Sequence, residues 1–325
     1  MKAKPKTTGI DERLLKSVSR SFYLSIRLMP PAIRPAIGIA YMLARASDTI
    51  ADTENIAPSV RLRRLSEFEL LVKGGFPPHA MSSIQRDIQP VHPGEKKLIE
   101  SLPQVLAAFH ALDVWEFRET ADLMTNIIRG QSMDLEVFTD NRAITAIADA
   151  ETLEDYIYLV AGCVGEWWTR LCFHHLPNYS KMPEEDLTRL GNDFGKGLQL
   201  VNILRDMPAD LEGGRCYLPA TELMNIGTDP ALICAAPSEA QPVFELWEQR
   251  ARELLDSGRL YIVSIRNRRT RMACYLPWRL GVDTLNLLAK IPPLLTGEKT
   301  KVPRSAVRKA LWESIGVAFS NKRLR

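Results

Sequence analysis

Apolar residues recur three and four positions apart in nearly every extended segment of this chain, and no segment alternates cleanly over the length of a strand. That period puts one face of a helix against a core, so the chain reads as all-α. Helices are predicted over about 11–26, 31–52, 58–73, 95–110, 113–137, 152–175, 184–211, 240–265, 271–290 and 303–317. The breaks fall where proline and glycine gather: Gly74-Gly75 to Pro93, Pro177 to Pro183, Gly213-Gly214, Pro230 to Pro242, and Pro292-Pro293. None is long enough for an interdomain linker, so residues 1–325 read as one domain.

Composition narrows the class. With 46% hydrophobic and 25% charged residues in 325, the chain is globular and can bury a large core. A net charge of +3, with basic residues scattered among acids, argues against nucleic acid as a partner. The ends are the most basic parts, with Lys2, Lys4 and Lys6 at one and Lys322, Arg323 and Arg325 at the other. They read as solvated tails, with a weak attraction to an anionic membrane surface as the alternative. The five cysteines are widely spaced, without a Cys-x-x-Cys pair, and read as reduced and mostly buried.

The N-terminal stretch lacks the apolar run of a signal peptide. No segment reaches the roughly 18 uninterrupted apolar residues of a membrane span. The nearest, Tyr275 to Leu295, carries Arg279, Asp283 and Lys290. The expectation is a cytoplasmic protein, soluble or peripheral at the membrane.

Two helices carry chemistry. At about 100° per residue, Tyr41, Arg45, Asp48 and Asp52 share one face within roughly 60° of arc. Gln199, Asn202, Asp206 and Asp210 fall within roughly 80° on another, with Pro208 between the two aspartates as a point where the helix kinks or ends. An acid pair at this spacing says little alone, since 39 acids in 325 residues give roughly five such pairs by chance. The surroundings change the odds, because both pairs lie in otherwise apolar helices that lack a solvated Lys/Glu face.

Carboxylates in such a setting need a cation. Asp48, Asp52, Asn202, Asp206 and Asp210 suit Mg²⁺, which takes a few carboxylates, several waters and phosphate oxygens. Arg20, Arg45 and Arg205 suit the diphosphate itself. Ionising an allylic diphosphate also needs a dry, apolar pocket for the carbocation. Phe22, Tyr41, Tyr156 and Tyr158 offer aromatic faces for it, against core packing as the plainer role. Gly162 and Gly165 inside a helical pattern indicate either close helix packing or room for substrate.

Five blocks follow in order: Ser19-Arg20-Ser21-Phe22; Tyr41, Arg45 and Asp48 to Asp52; Gly130-Gln131-Ser132-Met133-Asp134-Leu135; Tyr156 to Gly162; and Gln199 to Asp210 with the following GRCYLP. Across nearly the whole chain they resemble the squalene and phytoene synthase family. The resemblance implies a single-domain isoprenoid-synthase helical bundle around a central cavity, with the aspartate motifs on opposite walls. It implies that two farnesyl diphosphates condense head to head with Mg²⁺ at Asp48, Asp52, Asp206 and Asp210. Tyr156 is among the catalytic residues so implied, and Ser19, Arg20, Phe22, Tyr41, Arg45, Gln199, Asn202 and Arg205 bind substrate.

The stretch Cys274 to Leu288 followed by Thr300 to Val307 resembles the C-terminal part of squalene synthases. It makes Lys301 and Arg304 the expected contacts to NADPH, which squalene synthases use for a final reduction. Ala51 departs from the eukaryotic pattern, where Glu is common, and removes one oxygen ligand. The alternatives are a dehydrosqualene, phytoene or presqualene diphosphate synthase without reduction, and a non-catalytic assembly or scaffold member of the family. The basic run Arg266, Arg268, Arg269 and Arg271 reads as a solvated helix end.

Overall fold

The computed structural model describes residues 12–19, 26–27, 29–53, 55–139 and 143–320, with the side chain of Ser19 outside the description. Arg20 and Phe22, expected to bind substrate, also lie outside the described residues. The fold is all-α, as the periodicity predicts, and falls into two compact units, Met1–Leu135 and Glu136–Arg325.

The first unit holds α1 (Glu12–Ser19), α2 (Arg34–Asp52), α3 (Pro58–Val72), α4 (Ala80–Asp87), α5 (Pro93–Glu100), α6 (Leu102–His110) and nearly all of α7 (Val114–Val137). Helix α2 packs against α1, α3, α5 and α6. It starts with Pro35 in its first turn, where a missing N–H is harmless, and buries Ile37, Ile39, Leu43, Ala46 and Ile50. The buried Ser47 and Thr49 hydroxyls are satisfied within the helix by Ala44 O and Arg45 O, each at 2.8 Å.

Two local expectations change here. The predicted helix over 95–110 is two helices, α5 and α6, divided at Ser101, because Pro103 has no N–H to continue α5 and instead occupies the first turn of α6. The break from Gly74 to Pro93 contains α4, whose Ala80 and Ile84 are buried one turn apart.

The second unit is organised on one long helix. Its elements are β1 (Thr145–Ala146), α8 (Ala150–Ile157), a π-helical turn (Tyr158–Gly162), α9 (Cys163–His175), α10 (Glu184–Glu212), β2 (Arg215–Cys216), α11 (Ala220–Asn225), α12 (Gln241–Ser264), α13 (Arg268–Leu288), α14 (Pro293–Thr296) and α15 (Arg304–Val317). The two-residue strands pair in parallel, Thr145 with Arg215 and Ala146 with Cys216. Helix α10 packs on α9, α12, α13 and α14. It runs unbroken through Pro208, where the sequence leaves a kink or an end open. Leu204, Met207 and Leu211 are buried on either side of the proline, and their packing holds the helix where one backbone bond is lost.

Helix–helix packing explains the glycines. A Cβ on Gly165 would run into the carbonyl of Gly191, and one on Gly195 into the carbonyl of Ala161. Backbone meets backbone where the π-helical turn and α9 cross α10, and only glycine leaves the space. All five cysteines are free, with only Cys234 exposed. Among the described residues no helix is long and apolar enough to cross a membrane.

Candidate active site

Helix α2 presents the first acidic face. Gln131 on α7 donates its Nε2 to Asp48 Oδ1 at 2.6 Å, and Arg45 Nη1 lies 3.7 Å from Asp48 Oδ2. Arg45 also holds Glu95 of α5 through Nη2. The Tyr41 hydroxyl donates to Val18 O of α1 at 3.2 Å, which fixes the phenol at the base of the same face. Asp48 keeps 43% of its side-chain surface accessible but is otherwise ringed by protein. Burial first, and then the Asp52 carboxylate one turn on, push Asp48 up to about 6. Asp52 is exposed at the end of the helix.

Helix α10 presents the second face. Arg205 grips Asp206 with two parallel hydrogen bonds, Nε to Oδ1 at 2.8 Å and Nη2 to Oδ2 at 2.6 Å. Lys299 adds a third, with Nζ 2.7 Å from Oδ1. Burial alone would raise Asp206, but the bonds from Arg205 and Lys299 outweigh it and hold the acid below the usual carboxylate range. Arg215 on β2 reaches Asp210 Oδ1 at 2.7 Å, so the strand pairing aims a cation at the last aspartate. Asn202 and Gln199 share the face, with Asn202 Nδ2 3.5 Å from Gln199 Oε1.

Tyr156, at the end of α8, is buried and stacked on Tyr217, with ring centroids 5.3 Å apart at 26°. Phe138 meets Tyr217 edge-on at 5.1 Å. Tyr217 follows β2 directly, so this aromatic cluster sits two residues along the chain from the Arg215 that holds Asp210. Tyr158 lies on the π-helical turn, with its hydroxyl 3.5 Å from Glu166 Oε2. Lys301 and Arg304 are exposed at the start of α15, a helix end with no side-chain cap.

The residues fit magnesium by donor type. Asp48, Asp52, Asp206, Asp210 and the Asn202 amide offer oxygen only, as a hard cation requires. Gln131 supplies a second observation, since its buried Oε1 has no hydrogen-bond partner while its Nε2 is spent on Asp48. A buried acceptor left open beside a carboxylate is one that a water on a bound metal would satisfy. Lys301 and Arg304, beside unsatisfied N–H groups at a helix start, suit the phosphates of a nucleotide.

Three residues of the site escape a reading by spacing. Gln131 is 83 positions from Asp48, Glu95 is 50 from Arg45, and Lys299 lies on a loop far from Asp206 in sequence. Gln131 stands inside one of the recognised blocks, which is the one signal that pointed at it.

Comparison with known proteins identifies a family for the chain. The squalene/phytoene synthase family model matches residues 15–306. The chain is 26% identical over 282 residues to the squalene synthase of Eremothecium gossypii, covering 85% of this chain and 61% of that protein. It is 31% identical over 209 residues to the presqualene diphosphate synthase of Zymomonas mobilis, covering 64% and 59%. The chain thus spans less than two thirds of the length of these curated relatives. In fold it is similar to squalene synthase HpnC from Alicyclobacillus acidocaldarius, with a TM-score of 0.61, 20% identity and coverage of 86% of this chain and 91% of that one. With the matched stretch spanning both aspartate helices, the chain belongs to the squalene/phytoene synthase family.

Proposed function

We propose that the protein is a squalene synthase, joining two farnesyl diphosphates head to head through presqualene diphosphate and then reducing the product with NADPH. The observation that carries this reading is the arrangement of charge on helices α2 and α10. Each aspartate pair is met by arginine, Asp48 by Arg45 on α2, and Asp206 and Asp210 by Arg205 and Arg215 on α10 and β2. An all-oxygen donor set beside guanidinium groups suits a cation and a diphosphate together.

Asp48 and Asp52 form one magnesium-binding pair, and Asp206 and Asp210, with Asn202, the other. Bound magnesium supplies positive charge for the departing diphosphate. Arg45 and Arg205 bind phosphate oxygens, and Tyr41, Gln199 and the Ser19-Arg20-Ser21-Phe22 segment complete substrate binding. When C1 of one farnesyl diphosphate ionises, the C2–C3 double bond of the second attacks it, and loss of a proton closes the cyclopropane. Lys301 and Arg304 would hold NADPH, which would supply the hydride for the cation left after loss of the second diphosphate and ring rearrangement. Tyr156 contributes an aromatic wall that keeps water from the cation.

A second reading, a synthase that stops before reduction, draws support from the similarity to a presqualene diphosphate synthase. One experiment separates them. Purified protein is incubated with farnesyl diphosphate and Mg²⁺, with and without NADPH, and the lipids are extracted and identified. Squalene formed only with NADPH is the expected result. A product that NADPH leaves unchanged removes the reductive step, and absence of any condensed product removes the synthase reading.

A further inference from the structure

Helix α15 turns an apolar face to solvent. Leu311, Trp312, Ile315 and Phe319, the last just past the helix end, are 46%, 74%, 45% and 67% exposed. At about 100° per residue they fall within roughly 100° of arc. Ala310, Ser314 and Val317 point the other way and are buried. Single exposed apolar residues are ordinary, but four within nine positions on one face form a continuous patch.

Among the described residues, arginines flank that patch at both ends. Arg304 and Arg308 are exposed and fall in the same arc, one to two turns before Leu311. At the other end the Arg268 guanidinium lies 4.6 Å over the Phe319 ring, and Arg271 Nη1 reaches Val317 O at 3.4 Å. These two contacts seat the start of α13, with exposed Arg266, Arg268 and Arg269, against the end of the apolar stripe. The one acid of α15, Glu313, is turned away from it. Glu313 accepts from Tyr275 OH at 3.0 Å and faces Arg279 Nε at 3.8 Å.

We propose that this face is a docking surface for an anionic lipid bilayer. Leu311, Trp312, Ile315 and Phe319 enter the boundary between headgroups and acyl chains, and Arg268, Arg269 and Arg308 meet lipid phosphates. An apolar stripe with cations at both ends and no acid on it has the chemistry of an interfacial helix. A second copy of the chain is a poorer occupant, because a two-fold contact through this face would bring its arginines towards their like. The inference rests on α13 and α15 alone and is independent of which product the enzyme makes.

Co-sedimentation of the full chain with phosphatidylcholine vesicles, with and without phosphatidylglycerol, tests it. Binding is expected to the anionic vesicles, to weaken with added salt, and to be much weaker to neutral ones. Leu311→Ser with Trp312→Ser should lower affinity for anionic vesicles about 10-fold or more. Arg268→Gln with Arg308→Gln should lower it by roughly 10-fold or more, at about fivefold per basic residue. All four positions are exposed, so both variants should keep the wild-type circular dichroism and turnover. No binding by the wild type, equal binding to neutral and anionic vesicles, or undiminished binding by both variants would overturn the proposal. So would a wild-type dimer, seen by sedimentation velocity, that both variants dissolve while neither they nor the wild type bind vesicles.

Discussion

Replacing Lys299 by methionine keeps the aliphatic stem of the side chain and removes only the ammonium that lies 2.7 Å from Asp206 Oδ1. A divalent cation at Asp206 has to displace that ammonium or share the oxygen with it. The lysine side chain is 45% exposed and the aspartate 27%, so water screens the pair. An ion pair of this openness contributes about 0.5 to 1 kcal/mol. Arg205 still grips both oxygens in the variant, so Asp206 stays ionised and in place. The competitor's contribution passes to the metal, and Mg²⁺ or Mn²⁺ should bind Lys299→Met about two- to fivefold more tightly. Isothermal titration of metal into wild type and variant at low ionic strength measures this, and the difference should shrink as salt is added. Unchanged or weaker metal binding in the variant would refute the idea that the lysine competes with the cation at this carboxylate.

Other outcomes follow from the same contacts. Asp48→Asn and Asp206→Asn should each abolish turnover of farnesyl diphosphate while leaving the helical circular dichroism intact, and near-wild-type rates would sink the metal assignment. Gln131→Leu removes the 2.6 Å bond that orients Asp48 and should weaken metal binding about 10- to 100-fold, again read by titration. Gly191→Val forces a branched side chain against the Gly165 carbonyl and should cost about 3 kcal/mol in urea-unfolding stability. In the native protein only Cys234 should react promptly with a thiol reagent. Burial pushes Cys163, Cys216 and Cys274 up to about 12 and raises Cys172 further, so these four thiols should titrate only after denaturation.

The helical class and the two acidic faces were legible because both are local. A helix repeats every 3.6 residues, so Tyr41, Arg45, Asp48 and Asp52 share a face as soon as α2 forms, and Asn202, Asp206 and Asp210 do so on α10. Most helix ends fell close to their predictions for the same reason, since proline and glycine act through bonds to residues three or four positions away. Where the reading departed, neighbours distant in sequence prevailed. Helix α10 passes through Pro208 because buried Leu204, Met207 and Leu211 hold it, a force that a proline rule does not contain. The two roles open for the Gly165 region could be separated only when the π-helical turn and α9 were seen crossing α10 at Gly191 and Gly195.

The charge state of the site depends on the tertiary structure as well as on local neighbours such as Arg205 and Asp52. Asp48 and Asp206 are the same residue type at equivalent places in similar motifs, yet one is pushed up to about 6 and the other held below the ordinary range. The sequence by itself determined that carboxylates, arginines and apolar stripes lie on particular helix faces, because side-chain direction follows from the backbone period. Only the fold decided that Asp48 meets Gln131 and Asp206 meets Lys299, because those partners are brought together by helix packing. Ionisation depends on the atoms within a few ångströms, wherever in the chain they originate.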